Sequence, residues 1–275
     1  MLGAIIGDIA GSIYEGRRTI GRMSVYFGKF NHYTDDSVMT LAIGDALINL
    51  GNIAVASEED IKNAVAKSMR FYGRREPHAG YGSGFKAWFM SDDKGPYNSF
   101  GNGSAMRVSS VGWLFNTLER TLEVAKWTAE VTHNHPEGVK GAQAVAGAIY
   151  LARTNHTKEY IKNWLNIELG YEFLFSAKEL TKKRIFDVTC QGTIPIAFTG
   201  FFESNSFNDC MEKTVSFGGD CDTNTAIACS VAEAFYGIDD NDDKLVDNVI
   251  NTYLPYYHID VLENFYEFIG DYTNG

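Results

Sequence analysis

Two short acidic segments, far apart in the chain, carry the residue types of an oxygen-ligated metal site. The first contains Thr34, Asp35 and Asp36, and the second contains Asp220, Asp222 and Thr223. Each combines two carboxylates with a threonine hydroxyl, a ligand set that suits Mg²⁺, Mn²⁺ or Ca²⁺ better than Zn²⁺ or Cu²⁺. Carboxylates brought together raise one another's pKa values, and divalent cations would stabilise such a cluster. We therefore predict that the two segments meet and form a two-metal hydrolytic centre.

Each acidic segment also has a simpler interpretation as the N-terminal cap of a helix. Thr and Asp side chains accept hydrogen bonds from the free backbone N–H groups at a helix start. One cap requires one acceptor, whereas each segment supplies two carboxylates and a hydroxyl. Gly218 and Gly219, just before the second segment, permit a tight turn or a close approach of the backbone. Together the two segments favour a metal site more strongly than either does alone.

A third acidic pair, Asp8 and Glu15, interrupts an apolar and glycine-bearing stretch near the N-terminus. If the stretch is helical, their spacing places both residues on one face, roughly two turns apart. We interpret Asp8 as a buried carboxylate bonded to the backbone of a packed helix. Glu15 lies at the end of the stretch, and we expect it to reach the site.

Two further segments have the composition of ligand-binding loops. The first runs from Ser99 to Gly103, where Gly and Asn permit unusual backbone conformations before a predicted helix. Its successive N–H groups are suited to an anion such as a diphosphate, and Phe100 is suited to stacking on a base. An ordinary Gly-Asn turn is the simpler alternative. In the second segment, His133 and His135 lack a third nitrogen or thiolate ligand, so we interpret His133 as a hydrogen-bonding or ligand-positioning residue.

The elements that must position these residues are predicted to be helices. Apolar periodicity predicts helices over 36–50 and about 57–72, and near 104–115, 119–132, 137–153, 158–168, 191–203, 207–216, 222–236, 243–253 and 258–270. Strand patterns are nearly absent, and only 23–30 is predicted to be extended. The acidic run 239–243 lacks the glycine and glutamate of a calcium-binding EF-hand loop, and is predicted to be a solvated capping loop. We predict an all-α fold with functional loops between its helices.

Composition narrows the class of protein. The chain has 275 residues, of which 45% are hydrophobic, and no Pro/Gly/Ser-rich linker divides it, so we predict one domain over 1–275. A formal net charge of −11 argues against a nucleic-acid backbone as the main partner. The apolar N-terminus lacks a basic region, so neither a signal peptide nor a membrane span is predicted. Four cysteines without a CxxC pair are predicted to be reduced thiols in a cytoplasmic protein.

The chemistry-bearing segments follow one another in a recognisable order. After the stretch from Gly7 to Glu15 come TDD, GNGSAMR, THNHPEG and GGDxDT. In order and spacing they strongly resemble the ADP-ribosylglycohydrolase family, which includes the ADP-ribosyl-acceptor hydrolases and the dinitrogenase reductase-activating glycohydrolase. The resemblance extends from about residue 2 to about residue 237. It implies a compact, single-domain orthogonal helical bundle with a binuclear Mg²⁺ or Mn²⁺ centre in a central cleft.

The resemblance also implies roles for individual residues. The metal ligands would be Thr34, Asp35, Asp36, Asp220, Asp222 and Thr223, with Asp36 and Asp222 as candidates for bridging positions. Glu15 matches a glutamate close to the scissile linkage, and the implied catalytic residues are Glu15, Asp35 and Asp36. The diphosphate and adenine side of ADP-ribose would contact Ser99, Phe100, Gly101, Asn102 and Gly103, and His133 would also bind the ligand. Tyr81, between Gly80 and Gly82, would line the distal ribose.

The implied substrate is ADP-ribose joined through its anomeric carbon to a protein side chain or a small molecule. Arginine linkages are typical of one branch of the family, and serine linkages, poly-ADP-ribose and O-acetyl-ADP-ribose of another. The segment from Ser12 to Glu15 looks closer to the second branch. ADP-ribosylated nucleic acid stays open as a substrate, and we expect a monomer. The alternative is a non-catalytic ADP-ribose- or nucleotide-binding protein on the same scaffold.

Two features depart from the family pattern. The chain is short for the family, so large substrate-recognition insertions are not expected. Asn224 stands where an apolar residue commonly follows the second acidic motif, and it could alter the start of the helix there.

Overall fold

Every regular element in the described part of the chain is a helix. The computed structural model describes residues 1–16, 27–238 and 243–273. Its helices are α1 (Leu2–Gly11), α2 (Asp35–Ile48), α3 (Glu58–Arg75), α4 (Ser83–Phe89), α5 (Gly103–Met106), α6 (Val111–Leu114), α7 (Leu118–Glu130), α8 (Pro136–Arg153), α9 (Lys158–Ile167), α10 (Ala177–Lys183), α11 (Cys190–Phe202), α12 (Phe207–Phe217), α13 (Cys221–Tyr236), α14 (Asp243–Tyr253) and α15 (Tyr256–Thr273). The same ranges contain no β-strand, only an isolated bridge between Gly101 and Thr189. The predicted all-α fold is confirmed.

Side-chain caps explain where several helices begin. Ser57 accepts a hydrogen bond from the backbone of Asp60, whose carboxylate accepts one in return from the backbone of Ser57, as a capping box requires. Thr117 and Thr157 cap α7 and α9 in the same direction, each accepting from the N–H group three residues later. These local signals are readable from sequence, and the predicted starts of α3, α7 and α9 agree with the structure within two residues.

Some predicted elements differ from the structure. The helix predicted near 104–115 is two short helices, α5 and α6, separated by a turn that begins at Arg107. The short helices α4 and α10 were not predicted. Of the predicted extended segment, 23–26 lie outside the described residues and 27–30 form no strand. The acidic run 239–242 also lies outside them, and Asp243 begins α14.

Helix α13 is the buried centre of the fold. It packs against α1, α8, α11 and α12, and every residue from Cys221 to Glu233 is buried. Asn224 does not disturb its start, because the Asn224 N–H donates to the Asp220 carbonyl at 3.0 Å in the regular helical pattern. Within the described ranges, no helix combines the length and apolarity needed to cross a bilayer.

Three glycines let α1 lie directly against the backbone of α13. A Cβ atom placed on Gly3, Gly7 or Gly11 would lie 2.4 Å from the Cys229 carbonyl oxygen, 2.4 Å from the Thr225 carbonyl oxygen and 2.5 Å from the Asp222 Cα, respectively. Any larger residue at these positions would separate the two helices. Residues four positions apart lie on the same face of a helix, so the contact runs along the whole length of α1.

Helix α15 braces the loop after α3 and the residues that lead to the first acidic segment. His258 Nε2 lies 2.7 Å from Glu76 Oε1 at the end of α3, and the His258 ring packs edge-on against Tyr33, with centroids 5.1 Å apart. The Asp35 N–H donates to the Ala79 carbonyl at 2.7 Å. The loop after α3 and the start of α2 are thereby held together.

We expect Gly7→Ala to lower the free energy of unfolding by about 1–3 kcal/mol, because the added methyl group would overlap the Thr225 carbonyl. The matched control is Gly270→Ala in α15, where a Cβ atom meets nothing within 4 Å. There alanine is favoured over glycine by about 1 kcal/mol through helix propensity. Chemical denaturation measures both variants, and equal stabilities would contradict the close contact between α1 and α13.

Candidate active site

The two acidic segments meet at the base of one cavity of about 560 Å³. The starts of α2 and α13 supply the floor, and Thr223 Oγ1 donates directly to Asp36 Oδ2 at 3.2 Å, joining the two segments. The residues that line the cavity are Glu15, His32, Tyr33, Thr34, Asp35, Asp36, Met39, His78, Ala79, Gly80, Gly82, Ser83, Gly84, Phe85, Tyr97, Ser99, Gly101, Asn102, Gly103, Met106, Arg107, His133, Val188, Asp220, Asp222 and Thr223. The structure therefore brings together most of the residues that the sequence singles out.

The acidic floor contains two groups of three carboxylates that share one member. Oxygens of Asp8, Asp36 and Asp222 lie within 4.8 Å of one another, and so do oxygens of Glu15, Asp220 and Asp222. Asp222 belongs to both groups. Such a pair of groups could hold two adjacent cations, with Asp222 as their shared ligand.

Asp8 joins the floor from α1, a placement that the sequence analysis missed. Its carboxylate accepts hydrogen bonds from the Thr34 N–H at 2.8 Å, the Thr34 hydroxyl at 2.7 Å and the Ser37 N–H at 3.1 Å, and a further one from the Ser37 hydroxyl. As expected, the Asp8 carboxylate accepts hydrogen bonds from backbone N–H groups. These groups belong to the start of α2 and not to α1. The sequence feature that could have revealed this placement is an acidic residue beside Gly7, on a helix whose glycines allow close packing.

Glu15 lies beyond the end of α1, in the turn that follows Gly11. It therefore shares no helix face with Asp8. Glu15 is exposed and lines the cavity, so it reaches the acidic floor from the side open to solvent. The expectation that Glu15 reaches the site agrees with this position.

The loop from Ser99 to Gly103 forms one wall, and much of its polar capacity is used within the protein. The Asn102 side chain donates to Asp220 Oδ2 at 2.6 Å and to Thr193 Oγ1 at 3.0 Å. The N–H groups of Gly101 and Asn102 donate to Ser99 Oγ and to the Val188 carbonyl. The loop therefore orients a carboxylate of the floor, and those two N–H groups are already satisfied in this structure.

Two of the predicted binding residues lie outside the cavity lining. Tyr81 is buried in an aromatic cluster with Phe85 and Phe89, at centroid distances of 5.6 and 5.0 Å. Phe100 is partly exposed and packs edge-on against His135 at 5.3 Å. Their roles in ligand binding stay predictions. Tyr97 and Arg107, in contrast, line the cavity beside His133 and were not assigned a role from sequence.

Burial dominates the electrostatics of the floor. It raises the pKa of Asp35 to about 7 and the pKa of Asp220 to about 6, and neighbouring carboxylates add to the shift of Asp35. Burial and nearby carboxylates also raise the pKa values of Asp36 and Asp222. Without a counter-charge, the floor holds protons at near-neutral pH.

The residues present fit divalent cations. Asp36 Oδ1 is buried and, within the described part of the chain, has no hydrogen-bond partner. Such an oxygen in a low-dielectric site normally has a compensating partner. The candidate metal-ligand atoms on the floor are carboxylate and hydroxyl oxygens, which hard cations such as Mg²⁺ and Mn²⁺ prefer.

An all-α protein with a carboxylate-rich centre at the base of a cleft is the class that this fold and site define. Comparison with known proteins makes the class specific. The family model of ADP-ribosylglycohydrolases matches residues 1–266. This chain belongs to that family.

Individual relatives agree with the family. ADP-ribosylhydrolase ARH3 from Homo sapiens is 23% identical, over 87% of this chain and 85% of that protein. ADP-ribosyl-[dinitrogen reductase] glycohydrolase from Rhodospirillum rubrum is 26% identical, over 87% and 85%. ADP-ribosylarginine hydrolase Tri1 from Pseudomonas putida is 24% identical, over 86% and 70%. A solved chain of an ADP-ribosylglycohydrolase-related protein complex shares the fold, with a TM-score of 0.64, 19% identity and coverage of 98% and 96%.

We expect the stability of the metal-free protein to fall as pH rises from the unfolded aspartate pKa of 3.8 to the folded values of about 6 and 7. The folded pKa values of Asp35 and Asp220 are raised above their unfolded values, so their contribution is full at low pH and is lost above the folded pKa. At pH 8, Mg²⁺ or Mn²⁺ at a hundred times its dissociation constant should add about 2.7 kcal/mol to the free energy of unfolding. Thermal unfolding with EDTA and with each metal, from pH 5 to 8, tests this. A metal effect as large at pH 5 as at pH 8 would contradict it.

Proposed function

We propose that this protein hydrolyses the glycosidic bond between ADP-ribose and an acceptor, and that it requires two divalent cations, Mg²⁺ or Mn²⁺. One observation carries the proposal: a carboxylate floor and a wall formed by a glycine loop and a buried histidine enclose the same cavity. The floor suits cations and a ribose, and the wall beside it suits the diphosphate and adenosine. Membership of the ADP-ribosylglycohydrolase family and the activities in the names of its relatives support this assignment.

The cations would be held by oxygens from both segments and from α1. The proposed ligands are Thr34, Asp35, Asp36, Asp220, Asp222 and Thr223, and we add Asp8 because it shares a group with Asp36 and Asp222. When bound, the cations supply Lewis-acid activation of water and orientation of ribose hydroxyls. Asn102 holds Asp220 in place through its 2.6 Å hydrogen bond, which pre-orients one ligand before a cation arrives.

Glu15 and Asp35 are the two groups placed to move protons. Asp35 lines the cavity at the start of α2. Glu15 approaches the same floor from the solvent side. One would take the proton of the attacking water, and the other would polarise the ribose or assist the leaving group. The surrounding carboxylates would stabilise an oxocarbenium-like transition state, which carries positive charge.

The acceptor is the finer part of the proposal. Among the relatives, one name specifies ADP-ribosylarginine and another dinitrogen reductase. The segment from Ser12 to Glu15 resembles the branch that acts on serine linkages, poly-ADP-ribose and O-acetyl-ADP-ribose. In the structure this segment places Glu15 at the cavity. We therefore propose oxygen-linked ADP-ribose as the substrate class.

Release of ADP-ribose from arginine-, serine- and acetyl-linked substrates, with Mg²⁺, Mn²⁺ or EDTA, tests the proposal. We expect metal-dependent release from the oxygen-linked substrates and little from the arginine-linked one. Preferential release from the arginine linkage would overturn the proposed acceptor but would agree with the proposed hydrolase activity. Tight binding of ADP-ribose without release from any substrate would favour a binding protein on this scaffold.

We expect Asp36→Ala and Asp222→Ala each to lower turnover by at least about 10³-fold, because each removes an oxygen that would hold a cation and orient the water. Asp93→Ala is the control, since Asp93 is exposed and lies outside the cavity lining. Initial rates and metal titrations of the three variants check this. Undiminished hydrolysis with full metal affinity in Asp222→Ala would rule out the proposed centre.

A further inference from the structure

A buried hydroxyl links two cavity residues from different segments of the sequence. Arg107, after α5, donates from Nη2 to Thr132 Oγ1 at 2.8 Å. The same hydroxyl lies 2.7 Å from His133 Nδ1. All three residues are at most 4% exposed, so water does not compete for these contacts. The Thr132 hydroxyl therefore takes its hydrogen-bond partners from these two side chains.

These two hydrogen bonds of Thr132 determine which nitrogen of the His133 imidazole carries the proton. A guanidinium only donates hydrogen bonds, so Thr132 Oγ1 must accept from Arg107. If Nδ1 of His133 also donated to this hydroxyl, the Thr132 hydrogen would need another acceptor. Among the described residues, His133 Nδ1 is the only acceptor recorded for it. Burying a donor without an acceptor is unfavourable, so the hydroxyl donates to Nδ1 and the proton lies on Nε2.

The doubly protonated imidazolium is excluded by its surroundings. Burial lowers the pKa of His133 well below its usual value, and the positive charge of Arg107 lowers it further. The Arg107 guanidinium is held nearby by Thr132 and by the Thr128 carbonyl. His133 is therefore a neutral imidazole at physiological pH.

The Nε2 side of the ring faces the wall formed by the glycine loop. A Cβ atom placed on Gly103 would lie 3.1 Å from His133 Nε2, and one placed on Gly101 would lie 3.6 Å from it. Within the part of the chain that the structure describes, the imidazole makes no hydrogen bond other than the one to Thr132. The ring also lines the cavity, so its Nε2–H group is the donor left for a ligand.

We propose that Arg107 and Thr132 act as positioning residues that hold His133 as the neutral Nε2–H tautomer, so that this wall of the cavity donates one hydrogen bond to an acceptor atom of the ligand. The identity of the ligand rests on the proposed function. An acceptor is available in the diphosphate oxygens and in the adenosine portion of ADP-ribose. The wall selects against a ligand that presents an N–H group without an acceptor at this point, because two donors would then face each other.

The tautomer is measured directly by NMR of protein labelled with ¹⁵N-histidine, in which two-bond couplings distinguish a protonated from an unprotonated ring nitrogen. The His133 signals are identified by their absence in His133→Gln. We expect Nε2 to be protonated and Nδ1 to be unprotonated in the protein without ligand. A protonated Nδ1 in the wild-type protein would overturn the proposal.

Thr132→Val removes the hydroxyl at nearly constant volume, and Thr132→Ser retains it. We expect Thr132→Val to lose the fixed tautomer and to bind ADP-ribose about three- to tenfold more weakly, and Thr132→Ser to keep both. Metal affinity, which depends on the carboxylates of the floor, should be unchanged in both. An unaltered tautomer and affinity in a folded Thr132→Val protein would overturn the role of Thr132.

Isothermal titration with adenosine and ADP-ribose separates the two sources of the acceptor. An equal loss of affinity for both in Thr132→Val places the acceptor on adenosine, whereas a loss for ADP-ribose alone places it on the diphosphate or the distal ribose. If the wild-type protein binds neither compound, the proposed function and the proposed ligand contact both fail. The NMR measurement then still decides the tautomer, so the two failures are distinguishable.

Discussion

The contact between α1 and α13 is the constraint on which the site depends. Without side chains at Gly3, Gly7 and Gly11, two helix backbones approach closely enough to place Asp8 within reach of Asp222. Asp8 then accepts hydrogen bonds from the first residues of α2, which fixes the position of Asp36. A close helix contact in the core thus determines where carboxylates from three helices meet.

The acidic floor and the rest of the cavity have opposite electrostatic characters. The floor concentrates carboxylates whose pKa values are raised by burial, so it can accommodate cations or protons but repels an anion. The wall beside it contains a buried guanidinium, Arg107, and a neutral donor, His133. In a chain with a net charge of −11, this local arrangement would let the proposed diphosphate-containing ligand approach carboxylates once cations occupy the floor.

Much of the fold was predictable because its signals are local. Capping at Ser57 and the apolar periodicity of 137–153 and 158–168 correspond to observed helices. The predicted helix near 104–115 was wrong in its continuity, since apolar periodicity does not reveal the turn after Met106 that directs Arg107 toward Thr132. The pairing of the two acidic segments followed from their shared chemistry. The contributions of Asp8 and Arg107 did not, because each depends on a partner distant in the sequence.

Asn102 connects the two functional halves of the cavity through a single side chain. Its backbone belongs to the glycine loop, while its amide donates to Asp220 on the acidic floor. A movement of either half that keeps this hydrogen bond therefore also moves the other half. A coupling free energy of this kind is reciprocal. If a cation on the floor increases the affinity of the loop for its ligand by some factor, that ligand increases the affinity of the floor for the cation by the same factor.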